Sequence, residues 1–376
     1  MNIDRVKIST DFHGETCFTH ARGVILDSGF GIMTMQPLRL DGCDIFYGIY
    51  ISLTNDGGKS WSKPRPSATL TRRDIGGGLE VAMCDATPIY HEPTGKILLI
   101  GQSATYLNDE HAPHASRHTL YSVYDEGAAD FSPFEILGIP KADTLYYSAG
   151  SGSSQYVIET GGSILIPIYH MDFETSKTPG VSCYESSVMR CAFDGERLSF
   201  LEIGSSVSIP TPRGLYEPSL VKCGKVYFLA LRGDESGYVA KSNDGLSFDT
   251  PLELAWENGE NVGNYCTQQH WITLSDKLYM VYTRRGADND HVFRHRAPLF
   301  IAEFDPRRMC LIKSTEKIAV PNRGARLGNF GCQSRKEDAF IFAAEWMQTT
   351  EPNQYDYKKC MSYGSDNSIF VVRIED

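Results

Sequence analysis

Nothing in these 376 residues has the spacing of a metal-binding module, a membrane span or a nucleic-acid arm. The ten cysteines are scattered from Cys17 to Cys360 with no CxxC pair and no Cys/His cluster at zinc spacing. Unclustered cysteines in a chain of this length are expected as reduced thiols rather than a disulfide framework. No apolar stretch is long enough to span a bilayer. The opening MNIDRVKIST lacks the apolar region of a signal peptide, so the chain is cytosolic, or secreted or periplasmic with a leader removed. The net charge of −11 is spread without a long run of one sign, which argues against nucleic acid and anionic membrane surfaces as partners. It does not exclude an anionic sugar, because an acidic chain can still hold a basic pocket. No linker, low-complexity tract or charge block marks a boundary, so residues 1–376 read as one domain.

What the chain does have is turns and aromatic strands. Gly (34), Tyr (20) and Phe (18) are plentiful, and 41% of residues are hydrophobic, enough for a sizeable core. This favours an all-β fold. One pattern recurs: a Gly or Asp turn, usually a Lys, then a hydrophobic strand. It appears as TGKILLIG (94–101), GGSILIPIY (161–169), CGKVYFLAL (223–231), SDKLYMVYT (275–283) and EDAFIFAAEW (337–346), with a similar strand, CDIFYGIYISL, at 43–53. Repeats at this spacing, with no helical stripe beside them, predict a radial array of four-stranded blades: a six-bladed β-propeller with a pocket at its axis.

Residues 52–61, SLTNDGGKSW, resemble the Asp box of sialidases and related propellers. Asp56 can accept backbone hydrogen bonds to close the turn, Gly57 and Gly58 permit positive φ, and Trp61 can cover a blade junction. A shorter copy, SNDGLSF, lies at 242–248. Such boxes are structural and carry no chemistry.

The resemblance to the sialidase superfamily extends over most of the chain. Sialic acid carries a carboxylate on its anomeric carbon, and Arg forks match carboxylates in a bidentate way. The family uses three arginines from different blades. GLYEPSLVKCGKVYFLALR (214–232) looks like the segment in which a Glu-Pro opens a strand and an Arg closes the next, which implies Glu217 as the buried glutamate and Arg232 as the second arginine. YYSAGSGSSQYVIETGGSILIPIY (146–169) resembles the stretch that lines the family's pocket. THARGVIL (19–26) stands in the place of the Arg-Ile-Pro motif, without its Ile-Pro, and makes Arg22 the first arginine. FRHRAPLFIAEFD (293–305) supplies the third, Arg296, with Arg294 as competitor. The acid that protonates the leaving oxygen falls on Asp44, with Asp41 as the alternative; a pocket shielded from water would raise its pKa into the useful range.

The pattern breaks at the nucleophile. Sialidases use a tyrosine, an exception among glycosidases. The corresponding stretch, RGARLGNFGCQS (323–334), has Phe330 and no tyrosine. NYCTQQHW (264–271) with the segment after it resembles a divergent sialidase group, glycoside hydrolase family 181, in which a Gln-His pair replaces Tyr-Glu. That resemblance implies Gln269 with His270. Strand alternation favours Gln268 with His270 instead, and both glutamines stand as candidates. His270 would serve as a base near neutral pH.

The implied protein is an exo-α-sialidase releasing terminal sialic acid from glycans, working without metal or organic cofactor. The rivals are an exo-acting lyase or hydrolase on a terminal uronate, a non-catalytic sialoglycan-binding propeller, and a scaffold propeller that binds no sugar.

Overall fold

A computed structural model describes residues 1–42, 44–113, 115–178, 183–350 and 353–376. Its strands assort, among the described residues, into six antiparallel sheets. Each sheet is a meander that runs outward from an inner strand, and in the second sheet Arg73–Gly76 also pairs with the start of that strand on its other side. The first sheet is Thr16–Ile25, Gly31–Arg39, Tyr50–Thr54 and Arg65–Pro66. The inner strands of the others are Leu79–His91, the short pair Ser148–Gly150 and Val157–Ile158, Tyr216–Cys223, His270–Leu274 and Phe330–Ser334.

The hydrophobic residues fill the seams between consecutive sheets. Ile32 and Ile51 of the first sheet pack on Leu99 and Leu120 of the second. Leu98 and Ile100 meet Ile166 and Met189. Leu165 and Val188 meet Leu220 and Leu229. Phe228 meets Trp271 and Phe304, and Ile272 and Ile301 meet Ile341 and Val372. Phe340 and Phe342 then meet Met33 and Met35 of the first sheet, which closes the ring. A sheet buried on both faces explains why these strands read as continuous apolar runs rather than as alternation. The architecture is an all-β propeller.

The ring is latched by the chain ends. Asn2–Ile8 pairs in full register with Ile369–Glu375, from Asn2 opposite Glu375 to Ile8 opposite Ile369. The last sheet therefore takes three strands from one end of the chain and its outermost strand from the other.

The recurring turn-and-strand pattern marks the second strand of five sheets: Lys96–Leu107, Ile164–Met171, Val226–Arg232, Lys277–Tyr282 and Ala339–Ala344. The turns leading into them need a left-handed residue, filled by Gly224 (φ 60°) in one hairpin and Asp276 (φ 61°) in another. The sixth copy, 43–53, is out of step. It covers a loop and the third strand of the first sheet, whose second strand is Gly31–Arg39. Cys43 lies outside the described residues. The nine described cysteines are free thiols.

The two turns compared with Asp boxes join third to fourth strands. Asp56 accepts from the Ser60 amide at 3.0 Å and from the Thr54 hydroxyl at 2.8 Å. Asp244 accepts from the Leu246 and Ser247 amides at 2.8 and 2.7 Å. These bonds hold both carboxyls down to about 2, the Ser60 side-chain bond leading for Asp56; for Asp244 the bonds outweigh the opposing effect of burial. Trp61 donates to the Gly58 carbonyl at 3.1 Å and meets Phe342 of the last sheet edge-on at 6.2 Å. It is half-buried, so Trp61→Ala is expected to lower the unfolding free energy by about 2 kcal/mol in urea melts without changing the site at the axis.

Candidate active site

The inner strands are not regular. The Thr16–Ile25 strand carries a bulge between Thr19 and Arg22, Leu79–His91 one between Cys84 and Thr87, and Tyr216–Cys223 one between Tyr216 and Ser219. The first residue of each bulge has positive φ: His20 at 53°, Asp85 at 54° and Glu217 at 46°. Bulges re-aim side chains, and non-glycine residues persist in such backbone only where their surroundings hold them. All three side chains are thereby turned into one cavity of about 460 Å³.

That cavity is basic in an acidic protein. Arg117, Arg213, Arg232, Arg294, Arg296 and Arg326 line it, against Asp44, Asp85 and Glu217. Glu217 takes both carboxylate oxygens to Arg232 Nη1 at 2.7 Å. Arg232 also reaches the Cys266 thiol at 3.4 Å and lies over the Tyr216 ring. Arg296 donates to the Cys266 carbonyl at 2.5 Å. The Nε donors of Arg232 and Arg296 are buried without a protein partner. Burial, and then the neighbouring Arg232 charge, hold the Arg296 guanidinium down to about 10. Two adjoining cations with donors to spare are what an anionic ligand would relieve.

Asp44, exposed and at φ 58°, lines the same cavity. Asp41 does not; it is 83% exposed and pairs with Arg39 at 2.8 Å. Between the two arginine candidates of 293–305, Arg296 is buried in the cavity wall, whereas Arg294 is an exposed residue of its lining.

Arg22 is placed differently from the sequence expectation. The bulge at His20 and Ala21 breaks the alternation, so His20 faces the cavity and Arg22 turns into the interior, fully buried. Gly331 makes room for it; a Cβ there would sit 2.7 Å from Arg22 Cγ. Arg22 donates to Ser153 Oγ at 3.0 Å and Gln268 Oε1 at 2.9 Å.

Gln268, Gln269 and His270 likewise lie outside the cavity lining. Gln268 donates to Ser153 at 2.7 Å. His270 meets Ser219 through Nδ1 at 2.9 Å and stands edge-on to Phe330. Gln269 is buried on the other face against Gly237. Alternation along the strand thus pairs Gln268 with His270, but in a hydrogen-bonded interior rather than at a substrate. Burial, and then Arg22, push the His270 ring down to about 3. With the folded value below the unfolded one of about 6.5, its stabilising contribution is complete above that value and is lost as pH falls toward 3. The unfolded chain takes up a proton there and the folded one does not, a slope of about 1.4 kcal/mol per pH unit. Urea melts between pH 4 and pH 6 are expected to show this slope in the wild type and to lose that part of it in His270→Gln.

Sequence reasoning missed His20, Asp85, Asn329, Arg117 and Tyr184. His20 Nε2 lies 3.2 Å from Asp85 Oδ1 and 2.9 Å from Asn329 Nδ2. Ser153 at 2.9 Å and Gln102 at 2.8 Å fix the Asp85 carboxylate. The Arg117 charge, against opposing burial, holds the Tyr184 phenol below its ordinary value. The signal for His20, Asp85 and Glu217 was the repeat itself: HA, DA and EP stand at the same bulge of three inner strands. Among the described residues no group of three or more His, Cys, Asp or Glu is placed to hold a metal ion.

No family model and no curated protein matches the sequence. Among solved structures the chain is similar to a protein of unknown function from Dyadobacter fermentans (TM-score 0.65, 13% identity, covering 100% of this chain and 99% of that one). It is similar to Trypanosoma rangeli sialidase (TM-score 0.65, 13% identity, 100% of this chain) and spans 60% of that protein's length. A Hadza microbial sialidase aligns with a TM-score of 0.64 at 11% identity over 98% of this chain and 68% of that one. The chain therefore has the sialidase-like β-propeller fold, and identities this low show the fold alone. The likeness is to sialidases at large, not specifically to glycoside hydrolase family 181.

Proposed function

We propose that the protein is an exo-acting glycoside hydrolase of one six-bladed propeller domain, each sheet a blade, that removes a terminal acidic sugar, sialic acid, from a glycan. The observation that carries this reading is the pair Arg232 and Arg296: adjoining buried guanidiniums in the cavity wall with donors unused by the protein. They would take the sugar carboxylate, Glu217 orienting Arg232, while Asp44 at the mouth protonates the leaving oxygen. One of the T. rangeli sialidase structures of the same fold holds sialic acid, which supports the choice of sugar. The test is release of free sialic acid from α2,3- and α2,6-linked glycans, with Arg232→Ala as control. A folded wild type that releases none from either linkage ends the sialidase reading.

A second reading, elimination from a terminal uronate, is favoured by Tyr184, whose phenol is depressed by Arg117 and lines the same cavity. A phenolate there would abstract a proton beside the carboxylate. It would give an unsaturated, ultraviolet-absorbing product that hydrolysis does not give.

A further inference from the structure

We infer that the sugar taken by this cavity carries a second anionic group besides its carboxylate, bound by Arg117; the inference rests on the acidic-sugar reading above. One carboxylate on Arg232 and Arg296 leaves cationic charge over. Of the cavity's arginines, Arg232 is paired with Glu217 at 2.7 Å and Arg213 with Asp234 at 3.1 Å. Among the described residues Arg117, Arg294 and Arg296 have no carboxylate partner. Arg294 and Arg296 stand together ahead of Leu299–Asp305 in the fifth sheet. Arg117 stands apart, ahead of Thr119–Asp125 in the second. Three tyrosines lie between the two positions. The Arg117 guanidinium is over the rings of Tyr169, at 4.5 Å, and Tyr184, at 5.5 Å, whereas that of Arg232 is over Tyr216, at 4.7 Å. The Tyr184 and Tyr216 ring centroids are 5.7 Å apart, and all three tyrosines line the cavity.

Arg117 is built in place. Its carbonyl accepts from the Ala149 amide at 2.8 Å. Its stem runs beside Gly150, where a Cβ would sit 2.4 Å from Arg117 Cδ. The residue is half-buried in the cavity wall. Asp85, of the same lining, accepts instead from Ser153 and Gln102 at 2.9 and 2.8 Å. A guanidinium held partly out of water without a carboxylate carries an uncompensated desolvation cost, and an anion entering the cavity offsets it. The planar fork fits the oxygens of a carboxylate or of a sulfate ester. The second anion is therefore a sulfate ester on a hydroxyl of the acidic sugar, or the carboxylate of an adjoining acidic sugar. Arg232 and Arg296 hold the first carboxylate, and the tyrosine wall runs along the ligand between the two charges.

The experiment measures kcat/KM of wild type, Arg117→Gln and Arg117→Lys on sialyllactose, on its forms sulfated at a ring or side-chain hydroxyl of the sialic acid, and on α2,8-linked disialyllactose. The wild type is expected to prefer a doubly charged substrate to sialyllactose. Arg117→Gln is expected to lose about 10- to 100-fold of that preference, and Arg117→Lys, which keeps the charge, to retain most of it. Arg117→Met, which keeps the stem on the tyrosine rings, stands in where Arg117→Gln fails to fold. Preference for a sulfated form places the second anion on the sugar itself; preference for disialyllactose places it on the neighbouring sugar. No preference in the wild type, or one that the folded Arg117→Gln retains, overturns the inference and leaves sialic acid release standing. Equal losses on all substrates overturn it as well, and assign Arg117 to holding the Tyr184 phenol down. A wild type that cleaves none of them is judged by its melting temperature with free sialic acid, its sulfates and the disialyl acid. Greater stabilisation by a doubly charged acid, lost in Arg117→Gln, upholds the second anion site and ends the hydrolase reading; no such difference ends both.

Discussion

Arg232→Ala is expected to lower kcat/KM for a terminal acidic sugar by about 1,000-fold. The substitution removes a donor for the ligand carboxylate and also frees Glu217, whose two oxygens both rest on Arg232 Nη1 at 2.7 Å. Glu217 is only 14% exposed on its side chain, so a lone negative charge would be left facing the incoming anion. Truncating one partner of a buried, hydrogen-bonded charge pair costs about 2–5 kcal/mol, and about 4 kcal/mol is a factor of roughly 1,000. Arg232→Lys keeps the charge and loses the fork, so it is expected to recover part of the binding and little of the orientation. The double variant Arg232→Ala, Glu217→Gln separates the two contributions: loss of repulsion restores some affinity, whereas a purely structural role for the pair leaves it where the single variant was. Initial rates with the natural glycoside, beside a urea melt of each variant, make the comparison.

Asp44→Asn carries the other large effect. Asp44 lies at the cavity mouth on a left-handed turn whose carbonyl is held by the Tyr106 hydroxyl at 2.9 Å. An amide of the same shape keeps the turn and removes the proton donor. General acid catalysis contributes about 100- to 10,000-fold, so turnover of a natural glycan, with its poor leaving group, is expected to fall by about that factor. An aryl glycoside, whose phenolate leaves unassisted, is expected to be cleaved at nearly the wild-type rate. Equal losses on both substrates would assign Asp44 to binding rather than to proton transfer.

Glu217 and Arg232 were singled out in the sequence by their resemblance to one family segment, and their pairing is local. A tight hairpin joins Tyr216–Cys223 to Val226–Arg232, and its register sets Tyr216 opposite Arg232. Counting outward from the Gly224 turn sets Glu217 opposite Arg232, and the bulge between Tyr216 and Ser219 shifts Tyr216 to that position while Glu217 keeps its contact with the Arg232 guanidinium. The propeller was legible because blades repeat, and second strands buried on both faces repeat most visibly. Arg296 was preferred to Arg294 because the strand Leu299–Asp305 follows it directly, and it is the buried one of the two. The first sheet was read out of step; its second strand, SGFGIMTMQPLR, lacks the Lys found in three of the five other copies.

His270 and Arg22 show where local reading ends. Both residues sit in segments that resemble functional ones, yet both are buried in a hydrogen-bonded chain running through Ser153, Gln268 and Ser219 beneath the cavity. Whether a side chain meets substrate or interior depends on a single bulge residue, and a bulge changes which face every following residue takes.

By itself, then, the sequence determined the class of fold and its blade repeat, because both follow from periodicity, whereas Glu217, Arg232 and Asp44 were singled out by the family resemblance. Only the tertiary structure decided that His20, Asp85 and Asn329 meet. Asn329 is 309 residues from His20, and closing the ring, latched by Asn2–Ile8 on Ile369–Glu375, is what brings the inner strands of the last, first and second blades to one axis.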